Sequence, residues 1–123
     1  MECIYYLASP YSHDNSAIRM ERYLQASRAA AKLLDDGVAV FSPIAYNHPM
    51  KDWGLPTDWK FWERIDKAFI DSFGYLLILT LDGWKQSDGV SDEIKHANEH
   101  GYPVLYISYE DIMAGKTEHL KTL

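Results

Sequence analysis

Between residues 87 and 93 the chain reads Ser87-Asp88-Gly89-Val90-Ser91-Asp92-Glu93: two hydroxyls, a glycine and three acids ahead of a segment with helical spacing. Backbone N–H groups at a helix start are free to face an anion, and the helix dipole favours negative charge there. With Ser91 or Asp92 opening the helix, Glu93 falls in its first turn and is expected to stay ionised, as a carboxylate nucleophile must. An ordinary helix start carries the same signature, since acids in a first turn stabilise it by ~0.3–1 kcal/mol. A second acid, Asp66, lies inside the apolar stripe of Trp62, Phe69, Ile70 and Phe73. A carboxylate there is costly unless it is paired or used. Two readings fit: a structural aspartate held by a backbone N–H or an arginine, or an acid whose pKa is raised for proton transfer. His96 and His100 stand four apart, a spacing that suits a metal. The segment is His-Ala-Asn-Glu-His, however, and no third ligand is evident in the sequence. No metal site and no cofactor are therefore expected.

These residues need a frame, and the hydropathy pattern supplies one. Strands are predicted at Cys3–Ala8, Val38–Phe41, Tyr75–Leu81 and Pro103–Ile107, each a short apolar run. Helices are predicted from Ser16 to Asp35, from a Thr57 cap to Phe73, and from Ser91 or Asp92 to Gly101, with one last turn in the tail. The first helix is expected to bury Met20, Leu24, Ala31 and Leu34 and to stop at Gly37. Ile44 to Pro56, with two prolines and a glycine, reads as an ordered loop. Alternation of strand and helix implies a single three-layer, flavodoxin-like (Rossmann-like) α/β domain with a parallel sheet of four to five strands. Ligands in such sheets bind beyond the carboxyl ends of the strands. That rule selects the loops Ser9–Ser12, Ser42–His48 and Asp82–Val90.

Several classes are excluded. A net charge of −6 with no block of Lys or Arg argues against a nucleic-acid polymer. No apolar run approaches the ~20 residues of a membrane span. No Gly-x-Gly-x-x-Gly follows the first strand, and no P-loop is present, which argues against dinucleotides and NTP hydrolysis. The N-terminus lacks the marks of a signal peptide, and the lone Cys3 reads as a buried packing residue; both suit a reducing cytoplasm.

Tyr6-Leu7-Ala8-Ser9-Pro10, followed later by Ser87-x-Gly89-x-x-x-Glu93-Ile94 and Ala97, resembles the nucleoside 2-deoxyribosyltransferase superfamily, from Ile4 to about Val104. That group includes 2'-deoxynucleoside 5'-monophosphate N-glycosidases and small bacterial and phage proteins of unknown function. The resemblance implies that Glu93 attacks the anomeric carbon, that Asp66 is the acid serving the departing base, and that Tyr6, matching the tyrosine that ends the family's first strand, orients the glutamate. Six residues before the glutamate, transferases of the group carry an aspartate that holds the sugar 5'-hydroxyl, and the monophosphate hydrolases carry serine. Ser87 therefore points to a 5'-monophosphate, which a carboxylate would repel and a hydroxyl can serve. Asp88, next door, takes the aspartate's role if the loop shifts by one residue. Ser9 and Ser12 are candidate phosphate partners, and Arg19 is either another or a solvated side chain. Gly89 and His48 join the substrate-binding set. Trp53, Trp59 and Trp62, with Tyr46, Asn47 and His48, form either a wall that stacks the base or a mixture of core and subunit interface. The expected activity is cleavage of the base–sugar bond of a nucleoside 5'-monophosphate through a glycosyl-Glu93 ester. Base exchange between nucleosides and non-catalytic nucleotide binding are the alternatives. The resemblance also implies a homodimer or homotetramer.

Overall fold

A computed structural model describes residues 2–123. Four strands, β1 (Tyr5–Ala8), β2 (Val40–Phe41), β3 (Leu76–Leu79) and β4 (Val104–Ile107), form one sheet in the order β2-β1-β3-β4. Every pairing is parallel, with Tyr6 opposite Phe41 on one side and Leu76 on the other. The helices are α1 (Ser16–Asp35), α2 (Pro43–Asn47), α3 (Trp59–Phe73), α4 (Asp88–Glu99) and α5 (Tyr109–Met113). The architecture is the single flavodoxin-like α/β domain that the alternation predicts, with four strands. Strand order reverses between β1 and β3, so the crevice for a ligand lies above their carboxyl ends.

All eight residues of β1 and β3 are buried, and their side chains alternate between two cores. Tyr5, Leu7, Leu77 and Leu79 pack beneath α1 and α5 with Ala29, Ala30, Leu33 and Ile112. Tyr6, Ala8, Leu76 and Ile78 face α3 and α4, where Ile70, Val90 and Ala97 meet them. Continuous apolar strands are what a sheet covered on both sides requires.

Strand cores are shorter than expected by one to two residues at most ends, because only the inner residues complete ladder bonds. The stripe expected on α1 is rotated. Ala26, Ala29, Ala30 and Leu33 are buried, while Met20 and Leu34 are 43% and 54% exposed. The helix meets the sheet through three alanines, whose small side chains allow close approach, and Leu33, with Met20 and Leu34 turned outward. The segment expected as a loop from Ile44 contains α2, capped by Ser42, whose hydroxyl accepts from Ala45 N at 3.1 Å, and a 3-10 helix, His48–Trp53. Thr57 does not cap α3. Asp58 occupies that position without a side-chain bond, and Trp62 anchors the turn by donating to Pro56 O at 2.8 Å. Cys3 is half-buried at the edge of the α1 core. Among the described residues, no helix is long and apolar enough to cross a membrane.

Candidate active site

A cavity of about 470 Å³ opens above the carboxyl ends of β1 and β3. Its walls come from all three loops that the strand-end rule selects, together with α3 and the start of α4. Ser9, Ser12, His48, Asp66, Ser87, Asp88, Gly89 and Glu93 all line it. Tyr6 lies beneath, fully buried within β1, as the expected strand from Cys3 to Ala8 places it.

α4 opens at Asp88, three to four residues earlier than expected. Ser87 is the cap, its Oγ accepting from Val90 N at 3.2 Å. The helix geometry leaves the N–H groups of Asp88 and Gly89 without intrahelical acceptors at the cavity mouth. Gly89 lies against Trp59, whose ring a Cβ at this position would meet at 3.4 Å. Trp59 donates from Nε1 to Asp92 Oδ2 at 2.8 Å, tying the first turn of α3 to α4.

The earlier start moves Glu93 into the second turn and turns it inward. It is 4% exposed. The expectation that a helix start keeps Glu93 ionised is overturned: burial away from water, with the negative charges of Asp66 and Asp92 adding to it, pushes its pKa up to about 8. The dipole acts over the first turn, whereas desolvation acts wherever the carboxylate sits, and here desolvation wins. Asp66 is 4% exposed on α3 between Trp62 and Ile70 and is pushed up to about 6, again by burial.

Tyr6 joins the two acids. Its hydroxyl donates a short hydrogen bond to Glu93 Oε2 and lies beside Asp66. Asn47, at the end of α2, donates from Nδ2 to Asp66 Oδ1 at 3.2 Å. Both contacts favour the charged form of the acid they serve and limit the rise that burial imposes. Burial thus holds both acids above the ordinary carboxylate range, near 6 for Asp66 and near 8 for Glu93, with the Tyr6 hydroxyl between them.

The remaining walls are polar at one end and aromatic at the other. Ser9 Oγ and His48 Nε2 are buried without a partner. His48 is held by a hydrogen bond between its Nδ1 and the Tyr11 hydroxyl and by a stacked Tyr23 at 4.2 Å between ring centroids. Burial lowers its pKa, so the ring is neutral near pH 7. Arg19 is occupied elsewhere, donating to the carbonyls of His13 and Asp14. Arg22 instead ties the β1–α1 loop to the loop after β3, donating to Ser12 O at 3.0 Å and Asp82 O at 3.4 Å. Trp59, Trp62, Asn47 and His48 line the cavity, as one reading of the aromatic cluster expects. Trp53 and Tyr46 do not: Trp53 is 83% exposed, and Tyr46 packs on Phe41 and Phe69 outside it.

Sequence reasoning placed Asn47 in the base-stacking wall and missed its bond to Asp66. A buried acid in need of a donor, together with an amide in a loop at the strand ends, was the available signal. Tyr11 and Arg22 had no signal beyond their place in and near the first loop.

The fold and site thus define a flavodoxin-like α/β domain with a buried carboxylate dyad at its switch point. The chain belongs to the family described as domain of unknown function (DUF1937), whose model matches residues 3–109 and so includes every residue that lines the cavity. No curated protein matches the chain.

Proposed function

We propose that the protein cleaves the N-glycosidic bond of a nucleoside 5'-monophosphate, with Glu93 as nucleophile and Asp66 as acid, like the 2'-deoxynucleoside 5'-monophosphate N-glycosidases that its sequence resembles. The observation that carries this reading is the convergence of Glu93 and Asp66, from different helices, on one cavity, with Tyr6 between them. Retaining glycoside hydrolysis needs two carboxyl groups of opposite protonation flanking one sugar. A dyad holding a single proton between pH ~6 and ~8 supplies that.

Glu93, with the higher pKa, holds that proton at rest, so the reactive form is the one in which the proton has passed to Asp66 and Glu93 attacks C1' as an anion. Positive charge developing on the sugar favours the ionised glutamate, and the Tyr6 hydroxyl stabilises it. Water then releases the sugar from its Glu93 ester. The phosphate is received by the Ser87 hydroxyl, whose proton is free because its oxygen accepts from Val90, by the open N–H groups of Asp88 and Gly89, and by the unpartnered Ser9 Oγ. Ser12, exposed at the rim, contributes from the same loop. The indoles of Trp59 and Trp62 and the ring of His48 receive the base.

Base exchange is the second reading, favoured by Asp88, which also lines the cavity and suits a free 5'-hydroxyl. The test is base release from a panel of ribo- and deoxynucleoside monophosphates, with and without a second free base. Free sugar phosphate is the expected product, and a new nucleotide would establish transfer. Glu93→Gln is expected to lower base release by ~10³-fold or more. If wild type binds nucleotides without releasing base, and the variant binds equally, the chain is a binding module and the enzyme reading fails. The setting that accompanies the proposal is cytoplasmic, with two or four copies assembled.

A further inference from the structure

The structure supplies what the sequence lacked for His96 and His100: a third ligand. Asp71, two residues before the end of α3, places Oδ1 2.7 Å from His96 Nε2. The rings of His96 and His100 lie 4.2 Å apart at 38°, and one ligand atom from each of the three residues falls within 4.8 Å of the others. We propose that Asp71, His96 and His100 bind a divalent transition metal of the zinc type, which clamps α3 to α4.

Three features beyond proximity support this. First, the donor set of two imidazoles and one carboxylate is the set that zinc and its neighbours take, leaving one position for water. Second, the tautomer of His100 is set. Its Nδ1 lies 2.8 Å from His96 O, and a carbonyl only accepts, so Nδ1 carries the hydrogen and Nε2 keeps its lone pair for a metal. Third, the carboxylate has outer support, since the Tyr102 hydroxyl donates to Asp71 Oδ1 at 3.0 Å. Carbonyl and hydroxyl partners of this kind orient metal ligands. Tetrahedral zinc holds its ligands about 3.3 Å apart, so the three side chains need to adjust by roughly an ångström around the ion. Metal entry displaces the hydrogen between His96 Nε2 and Asp71, and that hydrogen passes by way of solvent to Nδ1 of the same ring, which stays a neutral ligand.

The position gives the site a consequence. Asp71 follows Asp66 by five residues on α3, and His96 follows Glu93 by three on α4. A metal bridging them holds together the two helices that present the dyad, on the side away from the cavity. The site stands independently of the glycosidase reading, because none of its ligands lines that cavity.

The experiment uses the full chain without an affinity tag. Cobalt(II), as a zinc surrogate, is expected to give tetrahedral visible absorption that saturates at one equivalent. Saturating zinc chloride is expected to raise the unfolding temperature by about 5 °C or more, and magnesium chloride to leave it unchanged. His100→Ala, at an exposed position, is expected to weaken cobalt binding by more than ~100-fold, and Tyr102→Phe by about 10-fold. His13→Ala and His119→Ala, away from the cluster, should bind as wild type does. No cobalt spectrum, or one that persists undiminished in His100→Ala, overturns the proposal.

Discussion

The two faces of the sheet are built to opposite specifications. Beneath α1 and α5, the core is apolar apart from the rim hydroxyl of Tyr5, which accepts from Lys121 N at 3.1 Å. Beneath α3 and α4, the same strands carry Tyr6 under two carboxylates that are each 4% exposed. The first face contributes stability in the usual way, through apolar area removed from water. The second withdraws two carboxyl groups from water, which opposes folding and raises the pKa of both. Active sites are where such opposition is tolerated.

Substitutions should separate the faces. The largest stability effect belongs to the apolar face. Leu33→Ala, at a site with 0% exposure, is expected to lose ~2–5 kcal/mol in denaturant unfolding while leaving turnover per folded molecule unchanged. A loss of turnover without a loss of stability would erase the distinction.

Glu93→Gln is expected to act in the opposite sense. Because the folded-state pKa of Glu93 is raised from 4.5 to about 8, the native state binds this proton more tightly than the unfolded chain. The associated stability is present in full below pH ~4.5 and is lost as pH rises through ~8. Glutamine does not titrate, so the variant should gain on wild type across that window, reaching on the order of a few kcal/mol by pH 9. Parallel curves for the two proteins from pH 5 to 9 would show that Glu93 ionises normally in the fold.

A smaller effect concerns the dyad's working range. With one proton required on the pair, kcat/KM should follow a bell with limbs near pH 6 and pH 8. Below the window Glu93 has no anionic form to attack with, and above it Asp66 has no proton to give. Smallest of all, Asn47→Ala removes the donor that favours ionised Asp66. The acid limb should then move to higher pH, read from the same profiles. An unmoved limb would assign that limb to another group.

Much of this architecture was legible before any coordinates. Alternating apolar runs determined the parallel sheet, and with it the three loops that line the cavity. Asp66 stood out because a carboxylate does not belong in an apolar helical stripe, and Glu93 and Tyr6 because they stand in the motifs that carry the expected resemblance. Local rules also located α1 from Ser16 to Asp35. They misplaced its buried face, because the sheet takes the side that carries Ala26, Ala29, Ala30 and Leu33 and leaves Met20 and Leu34 outside.

What only the tertiary structure decided is the charge state of the dyad and the company each acid keeps. Sequence reveals that a glutamate lies near a helix start, and that local dipole argues for an anion. Whether water reaches it depends on β1, α3 and the loop after β2, which close over it from elsewhere in the chain. The bonds from Asn47 to Asp66 and from Asp71 to His96 span 19 and 25 residues. Periodicity records which face of an element is apolar, but solvation and pairing depend on the other elements that come to lie against it.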